Sequence, residues 1–153
     1  MSHCHGVDVP RAQWLPHMEA LFLGRHLVSV ERRAADWLFT LDGNRWLRTD
    51  ANWRLLGPDS LRMCAEDHGH QFGLPAPLDG AARVLTIVGV ARIHAVRLGT
   101  RVPDLAWEFE GGHLLEVPLD SCGYEAWEAG DGAEARWIAG GGGKLWRVVP
   151  GPS

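Results

Sequence analysis

Carboxylates and imidazoles gather at one point of the chain, in the segment Glu66-Asp67-His68-Gly69-His70. Two acids beside two imidazoles are the side chains that general acid–base catalysis uses. The same residue types also shape turns, since an Asp side chain bonds to its own backbone and a His contacts a neighbouring peptide. The segment therefore predicts a candidate polar site, Asp67 with His68, and no catalytic residue is assigned.

Soft metal ligands cluster near the N-terminus, in His3-Cys4-His5. Imidazole and thiolate bind zinc or copper. A structural zinc site needs four ligands, however, and no second cluster stands at a suitable spacing. We therefore expect no metal centre and no cofactor. A metal-binding module would instead show a shift of its thermal midpoint with zinc or copper, and removal of residues 1–6 would abolish that shift.

A nucleophile could stand at Ser121-Cys122, with Glu125 as a nearby base. Neither a Gly-x-Ser-x-Gly elbow nor a papain-type context surrounds them. We therefore expect Cys122 to be a buried or half-buried structural thiol.

Acidic residues dominate one stretch of the chain. From Asp104 to Glu134 there are nine acids and no Lys or Arg, whereas the corresponding earlier stretch mixes both signs. A solvated acidic surface is the simplest interpretation. The functional alternative is a face that binds a basic protein and steers its association. Its predicted partner-binding residues are Glu108, Glu110, Glu116, Asp120, Glu125 and Glu128.

Composition narrows the class of protein. The chain has 153 residues and a formal net charge of −4, which disfavours nonspecific nucleic-acid binding. No apolar run approaches the 18 or more residues of a membrane span, and no signal-peptide pattern opens the chain. Three cysteines at no recognisable spacing predict reduced thiols. We expect a cytoplasmic protein that binds neither membrane nor nucleic acid.

Two parts of the chain echo each other. Apolar positions recur at an offset of 66 residues (Leu27 and Ile93), then 68 (Phe39 and Trp107), then 74 (Trp53 and Trp127). We predict one α+β domain over 1–153, built from two αββββ pseudo-repeats at 16–69 and 79–146, after a loose tail at 1–13. A pseudo-twofold axis would relate the repeats, whose antiparallel sheets enclose a Trp-rich core.

Each predicted repeat opens with a helix, the first near Pro16 and the second capped by Asp79, and continues through a hairpin. The turns Asp42-Gly43 and Glu110-Gly111 are typical of tight hairpins. Two-residue turns would set Phe39 opposite Trp46, and Trp107 opposite Leu114, on one apolar face. Arg48 and Glu116 take equivalent places in the two hairpins, which makes them a candidate ion pair.

Three motifs carry a family resemblance: Asp-His-Gly-x-Gln-Phe-Gly-Leu-Pro at 67–75, Gly-Tyr-Glu-x-Trp at 123–127, and the glycine run at 140–143. Together they resemble a group of small bacterial proteins of unknown function. Comparable small acidic α+β groups include immunity proteins, which neutralise a toxin. The resemblance implies a binding function without chemistry and assigns no specific residue.

The leading hypothesis is thus a non-enzymatic, immunity-type protein that presents an acidic surface to a basic toxin. Two alternatives remain open: a small-molecule or metal-binding module, and an enzyme with an Asp/His site. Exposed tryptophans could equally cover a homodimer interface.

Overall fold

The computed structural model describes residues 4–133 and 135–150, with side chains from 6 to 148 apart from residue 134. Two α-helices and twelve β-strands make up this part of the chain. In order, they are β1 (Cys4–Asp8), α1 (Arg11–Phe22), β2 (Leu27–Arg32), β3 (Trp37–Leu41), β4 (Arg45–Thr49), β5 (Arg54–Leu56), β6 (Leu61–Cys64), α2 (Gly80–Val88), β7 (Ile93–Leu98), β8 (Leu105–Phe109), β9 (Leu114–Val117), β10 (Trp127–Asp131), β11 (Ala135–Gly140) and β12 (Lys144–Pro150).

The strands form two antiparallel sheets. A seven-stranded sheet has the order β1-β12-β11-β10-β4-β3-β2, and a five-stranded sheet has the order β6-β5-β9-β8-β7. Each sheet combines strands from both 16–69 and 79–146, because β4 pairs with β10 while β9 pairs with β5. The two stretches therefore share both sheets.

Aromatic side chains join the inner faces of the two sheets. Phe39 of β3 meets Trp107 of β8 edge to face at 6.3 Å, and both are fully buried. Trp53 packs edge-on against Trp37 and Phe39 at 4.9 and 5.5 Å. Such edge contacts add to the free energy gained from burying large aromatic surfaces. The expected mixed α/β chain with antiparallel sheets and an aromatic core is confirmed.

The two helices close the ends of this core. Asp79 caps α2 as predicted, since its Oδ1 accepts a hydrogen bond from the Ala82 N–H at 3.1 Å. Helix α1 begins at Arg11, so Pro16 lies inside it instead of in its first turn. Helix α1 packs on β7 and α2 packs on β2, which places each helix against a strand of the other stretch.

The hairpin register differs from the prediction. The first turn contains three residues, Asp42–Asn44, with both Gly43 and Asn44 at positive φ. Phe39 consequently pairs with Leu47 instead of Trp46. The second hairpin shifts likewise, so that Trp107 pairs with Leu115 and not with Leu114. Because a one-residue slip turns a side chain to the opposite face, Trp46 and Leu114 point away from the core.

Three further expectations need correction. Residues 4–8 are not a loose tail, since they form β1 and pair with β12 at the edge of the seven-stranded sheet. Each stretch contributes at least five strands, where about four were expected. Arg48 and Glu116 lie in different sheets and have different partners.

Within the described part of the chain, no helix is long and apolar enough to cross a membrane.

Candidate functional site

The Asp67–His68 segment contributes to the start of helix α2. His68 Nδ1 accepts the Gly80 N–H at 3.0 Å, and its ring lies edge-on to Trp37 at 5.2 Å. The Asp67 carbonyl accepts the His70 N–H at 3.1 Å, which closes a turn. Burial, aided by the Asp67 carboxylate, raises the pKa of the Cys64 thiol. These contacts are those of a helix-capping loop, and they occupy the imidazole lone pair that a general base would need.

The candidate nucleophiles Ser121 and Cys122 lie in a turn. Ser121 Oγ accepts hydrogen bonds from the backbone N–H groups of Gly123 and Tyr124, at 3.3 and 2.9 Å, as in a turn. Cys122 is exposed, so the expectation of a buried thiol is wrong. His3 lies outside the described residues, as do the side chains of Cys4 and His5. Within the described residues no group of three or more His, Cys, Asp or Glu side chains could hold a metal ion.

Two of the predicted partner-binding acids lie on the outer face of the five-stranded sheet, each beside an arginine. Glu108 receives Arg97 Nη2 at 2.7 Å, and Glu116 receives Arg54 Nε at 2.7 Å. Glu110 lies in the turn after β8 and accepts the backbone N–H of Arg92 at 3.1 Å. The net charge of this face is therefore lower than the sequence count suggests.

Glu128 lies on the outer face of the other sheet, in a network of charged side chains. It contacts Arg48 Nε at 3.3 Å and Arg136 Nε at 3.1 Å, with only 12% of its side chain exposed. Arg48 also reaches Asp36 at 3.4 Å and Glu125 at 3.9 Å. Sequence reasoning missed this role of Arg48, because its partners lie 12, 77 and 80 residues away along the chain.

Asp36 is the most strongly held acid of this network. Its carboxylate receives Arg33 Nε at 2.6 Å and Nη2 at 2.8 Å. The hydrogen bond from Arg33 lowers the pKa of Asp36, with a further contribution from Arg48, while partial burial acts in the opposite direction. Asp36 is consequently a fixed negative charge between two arginines.

The remaining two predicted acids, Asp120 and Glu125, lie on the loop 118–126 between β9 and β10. Both ends of this loop are anchored. Asp120 Oδ2 accepts the Asn52 N–H at 3.2 Å, and Thr49 Oγ donates to the Ala126 carbonyl at 2.6 Å. Gly140 lies directly beneath, where a Cβ would stand 2.7 Å from the Glu125 Cα. The backbone of the loop is thus fixed by contacts that a longer side chain would disturb.

The tip of the same loop is open to solvent. Tyr124, the chain's one tyrosine, is 81% exposed, and the side chain of the adjacent Glu125 is 55% exposed. A shallow cleft of about 390 Å³ separates this tip from Arg48 and Asp50. One sequence signal could have located the loop, namely the change of offset from 68 to 74, which marks six additional residues here.

A second exposed aromatic side chain stands on the loop between β6 and α2. Phe72 is 65% exposed and adopts φ +46°, and its ring stacks on that of His70 at 5.5 Å. Left-handed backbone at a bulky residue costs on the order of 1 kcal/mol or more, and the exposed ring recovers none of it by burial. Phe72 is therefore a strained, largely exposed side chain outside the loop 118–126.

A scan against protein-family models finds no match to this chain. Searches of curated proteins and of solved structures also return no match.

Proposed function

We propose that this chain is a non-enzymatic protein-binding protein that presents the loop 118–126 to a basic partner. The observation that carries the proposal is Tyr124, which stands almost fully exposed beside Glu125 on a loop whose backbone is held at both ends. Tyrosine is enriched among the residues that dominate binding energy at interfaces. A fixed backbone also limits the conformational entropy lost on association.

The state of the acidic and imidazole groups supports binding over catalysis. His68 accepts a hydrogen bond from the start of α2, and Glu128 is held between two arginines. A general acid or base needs a pKa near the working pH and access to substrate. The lowered pKa of Asp36 moves that group away from such a role.

The charges of the loop point to the sign of the partner. Asp120 and Glu125 are carboxylates on a chain of net charge −4, and Glu125 is only loosely paired, at 3.9 Å from Arg48. An opposite field on a partner would raise the association rate and orient its approach. Among the other predicted acids, Glu108, Glu116 and Glu128 are neutralised by neighbouring arginines, so Glu110, which accepts a backbone N–H, would contribute most to this long-range field.

A toxin is the partner class that we propose, following the resemblance to small acidic immunity proteins. An acidic inhibitor would complement a toxin whose binding surface is basic. A cytoplasmic location and a homodimer remain predictions that accompany this proposal.

We also propose that the two stretches are copies of one unit related by a pseudo-twofold axis. Two contacts and one pair of ion pairs support it. His26 and Arg92, 66 residues apart, form an antiparallel bridge with each other, and Phe39 and Trp107, 68 apart, meet in the core. The ion pairs Arg48–Glu128 and Glu116–Arg54 also occupy equivalent positions with the signs reversed. By this relation the loop 118–126 belongs to one copy only, which favours a functional role over a folding role.

Capture from the native cell tests the binding function. The bait would be the full chain, compared with Tyr124→Ala and Glu125→Lys, and the bound proteins would be identified by mass spectrometry. We expect a basic protein that binds the wild-type chain and is lost with Glu125→Lys. Loss of one interfacial tyrosine of about 2 kcal/mol would weaken binding about thirtyfold.

Asp59→Lys is the matched control for this experiment. Asp59 is an exposed acid in the turn between β5 and β6, so its replacement makes the same change in net charge at a different place. Equal capture by the wild type, Asp59→Lys and Glu125→Lys would contradict the proposal. Unfolding midpoints within a few degrees of one another would establish that the variants are folded.

A further inference from the structure

A cleft of about 510 Å³ lies on the outer face of the seven-stranded sheet, and Arg48 separates it from the cleft at the loop tip. Its apolar surface comes from Leu38, Thr40 and Trp46, and its charged rim comprises Arg33, Arg45 and the ion pair of Arg48 with Glu128. This volume is within the range of clefts that hold small organic molecules.

Trp46 forms a rigid flat wall of the cleft. Its Nε1–H donates to the Gly132 carbonyl at 2.8 Å. Its ring lies against Gly130, where a Cβ would come within 2.4 Å of the indole. Both contacts fix the plane of the indole ring, so the Trp46 side chain would lose little conformational entropy when a flat ligand binds against it. Six of the eight tryptophans are buried in the core, whereas Trp46 is only half-buried on the outside of the sheet.

Two guanidinium groups supply positive charge at the rim. Arg45 Nη1 donates to the Gly43 carbonyl at 2.7 Å and contacts Asp131 at 3.1 Å, but 45% of the Asp131 side chain is exposed. Arg45 itself is 21% exposed, and the open side of the pair is the Asp131 carboxylate, where water weakens the attraction and a ligand carboxylate could share the guanidinium. Arg33 is held in a fixed orientation by Asp36 and keeps 42% of its side chain exposed.

The fold itself does not require these side chains. At an offset of 68 residues, Leu114 stands where Trp46 does and His113 where Arg45 does, on a hairpin of the same register. A tryptophan and an arginine at this face are thus particular to one hairpin. Their combination of a flat apolar wall and planar donors matches an aromatic ring that bears a carboxylate.

We infer that this cleft binds a planar aromatic carboxylate, with the ring on Trp46 and the carboxylate at Arg45 and Arg33. This cleft shares Arg48 with the cleft at the loop tip, but Trp46, Arg45 and Arg33 do not line the latter, so variants of these three residues test the two proposals separately. The ligand would be bound without chemical change.

Calorimetric titration of the full chain with 1-naphthoate tests the inference, with 1-naphthylmethylamine as the same ring carrying the opposite charge. We expect saturable one-to-one binding of the carboxylate and at least tenfold weaker binding of the amine. Trp46→Leu, which installs the residue of the other hairpin, and Arg45→Gln should each weaken naphthoate binding about tenfold or more.

Trp146→Leu is the matched control, because Trp146 is the other half-buried tryptophan and does not line this cleft. It should leave naphthoate affinity within twofold. Three results would each overturn the inference: absence of saturable naphthoate binding to the wild-type chain, equal affinity for the amine, or unchanged affinity in both Trp46→Leu and Arg45→Gln. Thermal midpoints measured without ligand would show that these two variants fold, and a folded variant with wild-type affinity counts against the site.

Discussion

Two ion pairs between neighbouring strands differ in exposure, and this difference gives a quantitative prediction of how much each contributes to the free energy of unfolding. Arg48–Glu128 joins β4 to β10, and Arg54–Glu116 joins β5 to β9. The first pair is shielded, with 22% and 12% of its side chains exposed, whereas the second has 53% and 36% exposed. We expect the longer but shielded pair to contribute more than the shorter exposed one.

The coupling energy of each ion pair follows from the distance between its charges and from their exposure to water. Two unit charges 3.3 Å apart attract by about 5 kcal/mol at an effective dielectric constant of about 20, before desolvation and side-chain ordering are subtracted. Arg48 and Glu128 each have a second ionic partner, which keeps them in place when one contact is lost. We therefore expect a net coupling of about 1–2 kcal/mol for Arg48–Glu128 and less than about 0.5 kcal/mol for Arg54–Glu116.

Urea unfolding of two double-mutant cycles measures both couplings. One cycle combines Arg48→Met with Glu128→Gln, and the other combines Arg54→Met with Glu116→Gln. A third cycle, Arg48→Met with Glu116→Gln, should be additive because these residues lie in different sheets. In 1 M salt the exposed coupling should vanish and the shielded one should persist. Equal couplings in the first two cycles, or clear non-additivity in the third, would refute the reasoning.

Four further predictions concern stability. Asp36→Asn should make the free energy of unfolding depend less on pH in the acid range, as urea unfolding at a series of pH values will detect. Because the pKa of Asp36 is lowered in the folded state, its carboxylate stabilises the fold fully above about pH 4, and this stabilisation is lost as pH falls through the folded pKa. Gly130→Ala should destabilise the protein by about 1–3 kcal/mol, because the new Cβ meets both the Trp46 ring and the Ala135 carbonyl oxygen, the latter at 2.7 Å. The paired change Gly130→Ala with Trp46→Leu should recover only part of that loss in thermal unfolding, because the backbone contact with Ala135 remains. Trp127→Phe should lower the free energy of unfolding by about 1–2 kcal/mol more than Trp107→Phe, and equal losses in chemical denaturation would contradict this. Both side chains are fully buried, but the Trp127 indole N–H donates to the Pro103 carbonyl, whereas the Trp107 indole N–H has no acceptor among the described residues. Phe72→Asn should raise stability by about 0.5–1 kcal/mol because Asn tolerates the left-handed backbone, while capture of the partner weakens if Phe72 belongs to the binding surface.

Local signals in the sequence predicted the local elements of the fold. Asp79 predicted the start of α2, and alternating apolar residues predicted the hairpin strands. The one-residue error in register arose from Asn44, because an Asp-Gly pair suggests a two-residue turn while Asn also adopts positive φ. That single residue decides whether Trp46 is part of the core or part of an outer cleft.

The non-local arrangement could not be predicted from the same signals. Period-two patterns identify which residues of β5 and β10 face inward, but they do not say which strand lies alongside. The exchange of β5 and β10 between sheets places Arg48 beside Glu128 instead of Glu116. The acidic stretch was similarly visible as a count of charges, whereas the arginines that bind Glu108 and Glu116 come from other elements.

Hydrogen exchange of the full chain, with and without the basic protein that it captures, tests whether the loop 118–126 binds the partner. We expect the partner to slow amide exchange in 118–126, around Tyr124 and Glu125, and Glu125→Lys to abolish this protection. Protection confined to other segments, such as the outer face of the five-stranded sheet, with 118–126 unchanged, would contradict it.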